Sequence, residues 1–432
     1  MTMRGRRVLS AVHAPATNRV KCGLPILFAD SARKFRVMAF SQGASAIGTW
    51  TQRIAQDWLV LELSNGSATA VGFTIAMQFL PVMMLSLWGG SLADRHDIRR
   101  LLIFTSTGMG LCALTIGCLE LSSMVEVWHV YVAALVTGAL SAMDLPLRQA
   151  NTAQLVSHDL LSDAVALNLL IDNCARIVGS ALAGLVIAVD GTGYLFIGNA
   201  VSFVVVIAAL IPAGGHTVRT VGPADAIGTR VRDGLAYAWS RTDLRSSLLL
   251  LLMASTFGMI FPVSLASIAH HALGRGAAAY GVLCTVLAAG TIVGTAAAAL
   301  LRGCPSLGMV LAAAATFGTL ELGVALMPCY LTTALLLFPT GASMLAFTKL
   351  VLTRLHLTVG DDVRGRVMGI YTLCALGGWP IGAALLGWLA DVAGPRTPLL
   401  VGGAITILAT LIACVGVRDV LWKGVRLRRC QG

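Results

Sequence analysis

From about residue 37 to residue 417 the chain alternates long apolar stretches with short polar connectors. A helix crossing a bilayer's hydrocarbon core needs about 20 predominantly apolar residues, since each advances the axis by about 1.5 Å and the core is about 30 Å thick. On that ruler the pattern predicts twelve spans, at 37–63, 69–90, 101–121, 127–147, 165–189, 193–213, 246–271, 277–301, 306–328, 330–356, 367–390 and 397–417. The first is the most polar, and the fourth runs into Pro146, whose ring removes a backbone donor. Connectors such as Asn65-Gly66-Ser67 and Asp190-Gly191-Thr192-Gly193 carry turn residues. The expected fold is an all-α membrane protein, and an even number of spans returns both termini to one face.

Composition agrees with that pattern. Of the 432 residues 57% are hydrophobic and only 12% charged, where a soluble domain carries about 25% charged residues. A disordered chain is excluded and a water-soluble globule disfavoured. The formal charge of +11, from 31 Lys+Arg against 20 Asp+Glu, would suggest nucleic acid in a soluble protein. The positions of the cations say otherwise. Segments on the side of the termini hold 27 of the 31, the opposite loops hold only Arg275 and Arg396, and Arg53 with Arg176 lie inside spans. Lys and Arg mark the cytoplasmic side of a membrane protein. Both termini are therefore expected in the cytoplasm, with the lipid bilayer as the partner surface and no nucleic acid.

Several chemistries lack their residues. The ten cysteines form no C-x-x-C, and most lie within spans, so neither a disulfide framework nor a metal site is expected. None of the four lysines precedes Ser or Thr, which removes a Walker A phosphate loop, and no His precedes Glu, which removes an H-E-x-x-H metalloprotease. Gly341-Ala342-Ser343-Met344 fits the short Gly-x-Ser-x of intramembrane serine proteases, but twelve spans fit those enzymes poorly. No enzyme and no cofactor are expected.

The spans divide into two sets of six. Gly179, Gly184 and Gly191, in and after the fifth span, match Gly382, Gly387 and Gly394 in and after the eleventh, each 203 residues on; Leu182 matches Leu385. The expected organisation is a basic cytoplasmic extension (1–36), a first six-helix half (37–213), a polar cytoplasmic linker (214–245), a second half (246–417) and a basic cytoplasmic tail (418–432). The extension's longest apolar run, Leu24 to Ala29, is too short for a signal-peptide core. It reads as a basic segment on anionic lipid, or as sequence preceding a start at Met38. Two repeated halves around an interfacial cavity are a transporter architecture.

Ionisable residues inside spans are costly and so are candidates for function. Arg176 stands near the middle of the fifth span with Asp172 four residues before it, the favourable acid-before-base order. The pair reads either as a substrate and proton site or as a self-neutralising structural pair. The first span carries Gln42, Ser45, Thr49, Gln52 and Gln56 on one face, with Arg53 and Asp57 beside it. That stripe is expected to line a cavity, with polar packing against another helix as the alternative. Arg53 and Asp57 are near enough the outer end to be interfacial. Glu321 is the acid of the ninth span, and Asp144 closes the fourth at its cytoplasmic end. Asp172, as the deepest, is the first candidate to carry a proton; Asp57, Glu321 and Asp144 are the others, in no order.

After the second span the chain reads Gly90-Ser91-Leu92-Ala93-Asp94-Arg95-His96-Asp97-Ile98-Arg99-Arg100. This segment resembles the loop 2–3 motif of the major facilitator superfamily, a resemblance covering the chain from about residue 36. Three stretches resemble its drug:proton antiporters, including enterobactin-type siderophore exporters. They are Asp144-Leu145-Pro146-Leu147-Arg148-Gln149-Ala150, then Ala166-Leu167-Asn168 leading to Ala175-Arg176-Ile177-Val178-Gly179, and Arg364-Gly365-Arg366-Val367-Met368. The resemblance implies a gating latch of Gly90, Asp94, Arg95, Arg99 and Arg100 between the halves. It implies close helix packing at Gly179 and Gly184, and adds Arg148 and Asn168 to the candidates for proton, substrate and cavity. Two departures are plain: Gly179-Ser180 stands where the antiporter motif has Gly-Pro, and Gly48-Thr49 where the branch often has Gly-Asp.

The expected function is secondary active transport. A small amphipathic molecule (a drug, toxic compound or siderophore) would leave in exchange for protons by alternating access, through a monomer in a bacterial inner membrane. A proton-coupled nutrient importer and a non-transporting receptor or scaffold are the alternatives.

Overall fold

The computed structural model describes residues 33–95, 97–211, 235–300 and 304–416, and within them not the side chains of 34, 86–95, 158, 162, 361 and 362. Residues 1–32 of the expected extension, most of the linker and the tail from 418 lie outside the described residues. The first half is six helices: α1 (Arg33–Leu63), α2 (Ala68–Arg95), α3 (Ile98–Leu121), α4 (Val127–Leu155), α5 (Leu161–Asp190) and α6 (Gly193–Leu210). The second half is α7 (Thr242–Ala272), α8 (Ala277–Leu300), α9 (Leu307–Leu326), α10 (Tyr330–Thr358), α11 (Asp361–Leu376 continued by Trp379–Ala393) and α12 (Thr397–Gly416). Eleven of these are long and apolar enough to cross a membrane, and α1 is the polar twelfth, as its sequence foretold.

Four boundaries differ from expectation, each for a local reason. α1 begins at Arg33, so Arg33, Lys34 and Arg36 belong to the first helix rather than to the extension. α4 passes through Pro146 and ends at Leu155; Asp144 is therefore buried inside the helix, not at its end. The seventh span is not one regular helix. It is interrupted by π turns at Ala254–Gly258 and Ile268–Ala272, and Pro262 can start the segment Phe261–Ser267 because the first helical turn needs no donor there. The eleventh breaks at Gly377-Gly378 just before Pro380.

Bare lipid gives apolar helices no hydrophobic reason to associate, so close packing at small residues takes over. Gly138 lies against the carbonyl of Gln78, and Gly290 and Gly294 against the carbonyls of Phe338 and Ala342. A side chain at any of these would strike backbone.

The same glycines expose the internal symmetry. Gly179 of α5 packs on the α1 backbone at Ile47 and Thr51, while Gly382 of α11 packs on the α7 backbone at Thr256. Gly184 meets Gly281 and Ala278 of α8; Gly387 meets Ala68 and Thr69 of α2. Gly191 and Gly394 then close their helices at φ +82° and +104°, a region that favours glycine. The repeat read in the sequence is thus a repeat of contacts: α5 does to α1 and α8 what α11 does to α7 and α2.

The halves meet tightly at the face opposite the termini and part toward the terminal face. Val165, Leu169, Asp172, Arg176, Ser180 and Ala183 share one face of α5. Its part farther from the terminal face, Ser180 and Ala183, is buried against α8, whereas Val165 and Leu169 are 48% and 54% exposed. α2 and α11 behave alike. Gly72 packs on Ala383, but toward the terminal face Val82 and Met83 stand apart from Gly369, Ile370 and Leu373 across a cavity of about 390 Å³. The cleft between the halves is open to the terminal face and sealed at the other.

Candidate functional site

Arg176 stands where the two halves begin to part. One Nη donates to Thr291 of α8, across the seam, and also to Asn173 at 3.2 Å. Its guanidinium lies over the Trp50 ring at 5.6 Å from the centroid, and the Arg53 guanidinium over the same ring at 4.8 Å. One indole of α1 therefore faces two cations, an arrangement in which the negative face of the ring partly replaces water. The indole Nε1 in turn donates to Oδ1 of Asp172 at 3.4 Å. No ion pair joins Asp172 to Arg176 among the described residues, so the direct structural pair is not formed. The two are linked through Trp50.

Arg53 makes no hydrogen bond among the described residues, and the Nε atoms of both arginines are buried without an acceptor. The apex of the cleft thus holds more donors than acceptors. An isolated charge at this depth is costly, and a guanidinium takes carboxylate or other oxygen groups in a planar two-point fashion.

Just beyond the apex the seal begins. Asp57, one turn after Arg53, is buried rather than interfacial, and accepts a hydrogen bond from the Tyr280 hydroxyl of α8 at 2.8 Å. Tyr280 stacks on Trp58, ring centroids 6.1 Å apart, and Trp58 donates to Glu62 at 2.6 Å. At the rim of the sealed face His271 hydrogen-bonds the carbonyl of Gly66 at 2.7 Å. Beside it Asp391, at the end of α11, reaches into the start of α2. Its carboxylate accepts from the Ser67 hydroxyl (2.7 Å), the Ala68 amide (2.8 Å) and the Thr69 amide (2.9 Å).

The remaining candidates lie elsewhere. The stripe on α1 is in part polar packing: Gln52 accepts from Asn199 of α6 at 2.6 Å, Ser45 and Gln56 are buried, and only a partly exposed edge is left with Gln42 and Thr49. Asp144 pairs with Arg148 one turn on and accepts from Thr105 of α3 at 2.9 Å, inside the first half. Asn168 donates to Thr152 of α4 at 3.1 Å. Glu321 is fully buried between α7, α9 and α12, beside Gly258 of the π turn, Gly402 and Thr406, and among the described residues neither of its oxygens has a hydrogen-bond partner.

At the terminal face Asp97 caps α3 through the Arg99 amide at 2.9 Å, Arg99 reaches the Ile211 carbonyl, and Arg100 is exposed. The side chains of Asp94 and Arg95 lie outside the described residues, as does the surroundings of Gly90.

Reading the sequence missed Trp50, Tyr280, Thr291 and Asp391. For the first three no signal distinguishes a site residue from a helix-packing one. Asp391 did carry a signal. Gly387-Trp388-Leu389-Ala390-Asp391 repeats the Gly-x-Leu-Ala-Asp of Gly90 to Asp94.

Two related six-helix halves, sealed at one face around a charged apex and parted at the other, define a membrane transporter. Comparison with known proteins supplies the family. Residues 28–423 match the family described as transmembrane secretion effectors, and the chain belongs to that family of the major facilitator superfamily. It is 25% identical to the staphyloferrin A transporter of Staphylococcus aureus over 85% of this chain and 92% of the relative. It is 26% identical to the multidrug efflux pump Tap of Mycobacterium tuberculosis over 90% and 93%. It is 24% identical to the enterobactin exporter of Citrobacter koseri over 82% and 84%. Among solved structures, an inward-facing, unoccupied bacterial homologue of the lysosomal transporter Spinster superposes with a TM-score of 0.71 at 11% identity, covering 90% of this chain and 98% of that one.

Proposed function

We propose that the protein exports small amphipathic molecules from a bacterial cell in exchange for protons, by alternating access across the inner membrane. The observation that carries this reading is the cluster of Arg53, Arg176, Asp172 and Trp50 at the apex of a cleft that is open to one face only. Relatives named as a staphyloferrin A transporter, a multidrug pump and an enterobactin exporter support the outward direction and the breadth of substrate, drug or siderophore.

In this reading the terminal face is cytoplasmic, as the 27 cations on that side favour, and the conformation described is inward-open. A substrate enters between α2, α4 and α11, lays an apolar portion along Val82, Met83 and Leu373, and presents oxygen acceptors to the two arginines. Asp172 is the coupling carboxylate, since it faces the cleft and is joined to both arginines through Trp50. Asp57 sits behind the seal, Asp144 is held by Arg148, and Glu321 has no route to the cleft. A proton entering from outside and a substrate entering from inside then compete for one electrostatic site, which is the minimum that exchange requires. The protein works as a monomer, because both gates lie between halves of one chain.

The test is efflux from everted or reconstituted vesicles under an imposed pH gradient. Substrate movement that tracks the gradient supports exchange, and movement indifferent to its collapse removes proton coupling.

A further inference from the structure

We infer that α7, α9 and α12 hold a sodium-sized monovalent cation at the break in α7, on the carboxylate of Glu321. The inference rests neither on the exporter reading nor on proton coupling. Glu321 and Thr406 are both fully buried, and among the described residues neither carboxylate oxygen nor the Thr406 hydroxyl has a hydrogen-bond partner. No ion pair to Glu321 occurs among the described residues either. Buried polar groups nearly always find a partner, and a buried charge without one is expensive. Three oxygens left over in one spot point to a ligand that takes lone pairs.

The chain makes room for that ligand and adds a fourth oxygen. A Cβ on Gly258 of α7 would lie 2.9 Å from Glu321 Oε2 and 3.0 Å from Thr406 Oγ1. A Cβ on Gly402 of α12 would strike Glu321 Oε1 and the Phe257 carbonyl together, and would lie 3.1 Å from the Gly258 Cα. The four oxygens therefore border one small space kept open by two glycines. The Phe257 carbonyl is available because α7 breaks there. Its π turn ends at Gly258, and Pro262 in the next segment has no amide to return to the carbonyls of Phe257 or Gly258, five and four residues back. The break also ends a helix segment beside the carboxylate, and that end carries a partial negative charge. Released carbonyls and half-helix C-termini of this kind suit a small cation.

Charge and donor set select the ligand. The residues set around the carboxyl are Phe257, Gly258, Phe317, Gly402 and Thr406, none of them charged or titratable. One carboxylate calls for one positive charge, which disfavours a divalent ion. A proton supplies the charge but bonds a single acceptor, leaving the second carboxylate oxygen and Thr406 unpaired. A hard metal ion takes oxygen ligands alone and can use all four. Glu321 lies five residues from the end of α9 and Gly402 five from the start of α12, so the site is nearer the sealed face. Its ion would tie three helices together where α7 forgoes its own hydrogen bonds, beside Thr256, whose carbonyl packs on Gly382 of α11.

The test is thermal unfolding of the purified full chain in detergent, read by tryptophan fluorescence, in sodium, potassium or choline chloride of equal ionic strength. It is run at neutral and at alkaline pH. Sodium should raise the midpoint saturably, by about 2–4 °C over choline, as a ligand bound only by the folded state does. Potassium should act more weakly. Glu321→Gln keeps the size, removes the charge and should abolish the response. Thr406→Val should raise the sodium concentration needed for half the response by about tenfold, as the loss of one ligand predicts. Where a variant fails to fold, equilibrium binding of radioactive sodium to the parent reads the site directly, with displacement by unlabelled sodium and not by choline. Equal midpoints in sodium and choline at both pH values, a response retained in Glu321→Gln, or no labelled sodium bound overturns the inference and leaves Glu321 holding a proton.

Discussion

Tyr280 donates its phenolic hydrogen to Asp57 across 2.8 Å, and the two residues belong to different halves of the molecule. The bond lies directly behind the charged apex, so the seal and the site share α1: Trp50 and Arg53 face the cleft, and Asp57 and Trp58, about one turn beyond Arg53, close it.

Replacing Tyr280 by Phe keeps the stacking on Trp58 and strips Asp57 of its donor. A buried acceptor left without a partner costs about 1–3 kcal/mol. The expected result is lower thermal stability in detergent together with faster labelling of a cysteine placed at Thr69 from the outer side. Unaltered labelling would show that the bond contributes to folding alone.

Arg176→Gln and Arg53→Gln should each depress substrate transport by about tenfold or more, as the loss of a charged hydrogen-bond donor predicts. Arg176→Lys should rescue poorly, because an ammonium is a compact point charge and cannot offer a substrate's oxygens the planar two-point fork of a guanidinium. Fluorescence-detected size exclusion checks that each variant folds. Full transport by Arg176→Gln would remove the arginine from the site.

Asp172→Asn should uncouple. Exchange of labelled for unlabelled substrate at equal pH persists, while accumulation against a gradient is lost. Asp144→Asn is predicted to behave differently. It leaves the half-buried Arg148 guanidinium without its carboxylate inside the first half, so stability falls by about 1–3 kcal/mol, as when a hydrogen-bonded charged group loses its partner. If Asp144→Asn uncouples cleanly and Asp172→Asn does not, the two assignments are reversed.

Gly184 and Gly281 meet backbone to backbone, and a Cβ on Gly184 would come within 3.0 Å of the Gly281 Cα. Gly184→Val should wedge α5 from α8 at the outer end, raise outer accessibility and slow transport. Gly198, which meets nothing within 4 Å, should accept Ala without effect. Equal behaviour of the two variants would argue against α5 and α8 as the moving seam.

Much of the fold was legible because a bilayer imposes a length and a polarity on every span, and because cations distribute by side. The fifth and eleventh spans could be matched from glycines alone, since close helix approach leaves few alternatives to that residue. What escaped was anything decided between helices. Whether Arg176 met Asp172 or Thr291 depended on the azimuth of α8, which no local pattern sets. The stripe of Gln52 and Gln56 reads the same whether it faces a cavity or Asn199 of α6. The breaks in α7 are π turns, whose extra residue leaves the hydropathy pattern unchanged. Asp391 could have been found by matching its pentapeptide to Gly90 through Asp94, though its capping of α2 is a fact of the assembled halves.

The central claim is exchange of a substrate for protons through the apex held by Arg53, Arg176 and Asp172. It is tested most directly in proteoliposomes containing the purified full chain, with an imposed pH gradient, a candidate siderophore or drug, and a pH-sensitive dye in the lumen. Adding substrate on the terminal side is expected to move protons in the opposite direction, and Asp172→Asn to abolish the proton signal while substrate exchange continues. Substrate flux with no proton movement in the parent protein, or proton movement that survives in Asp172→Asn, would contradict it.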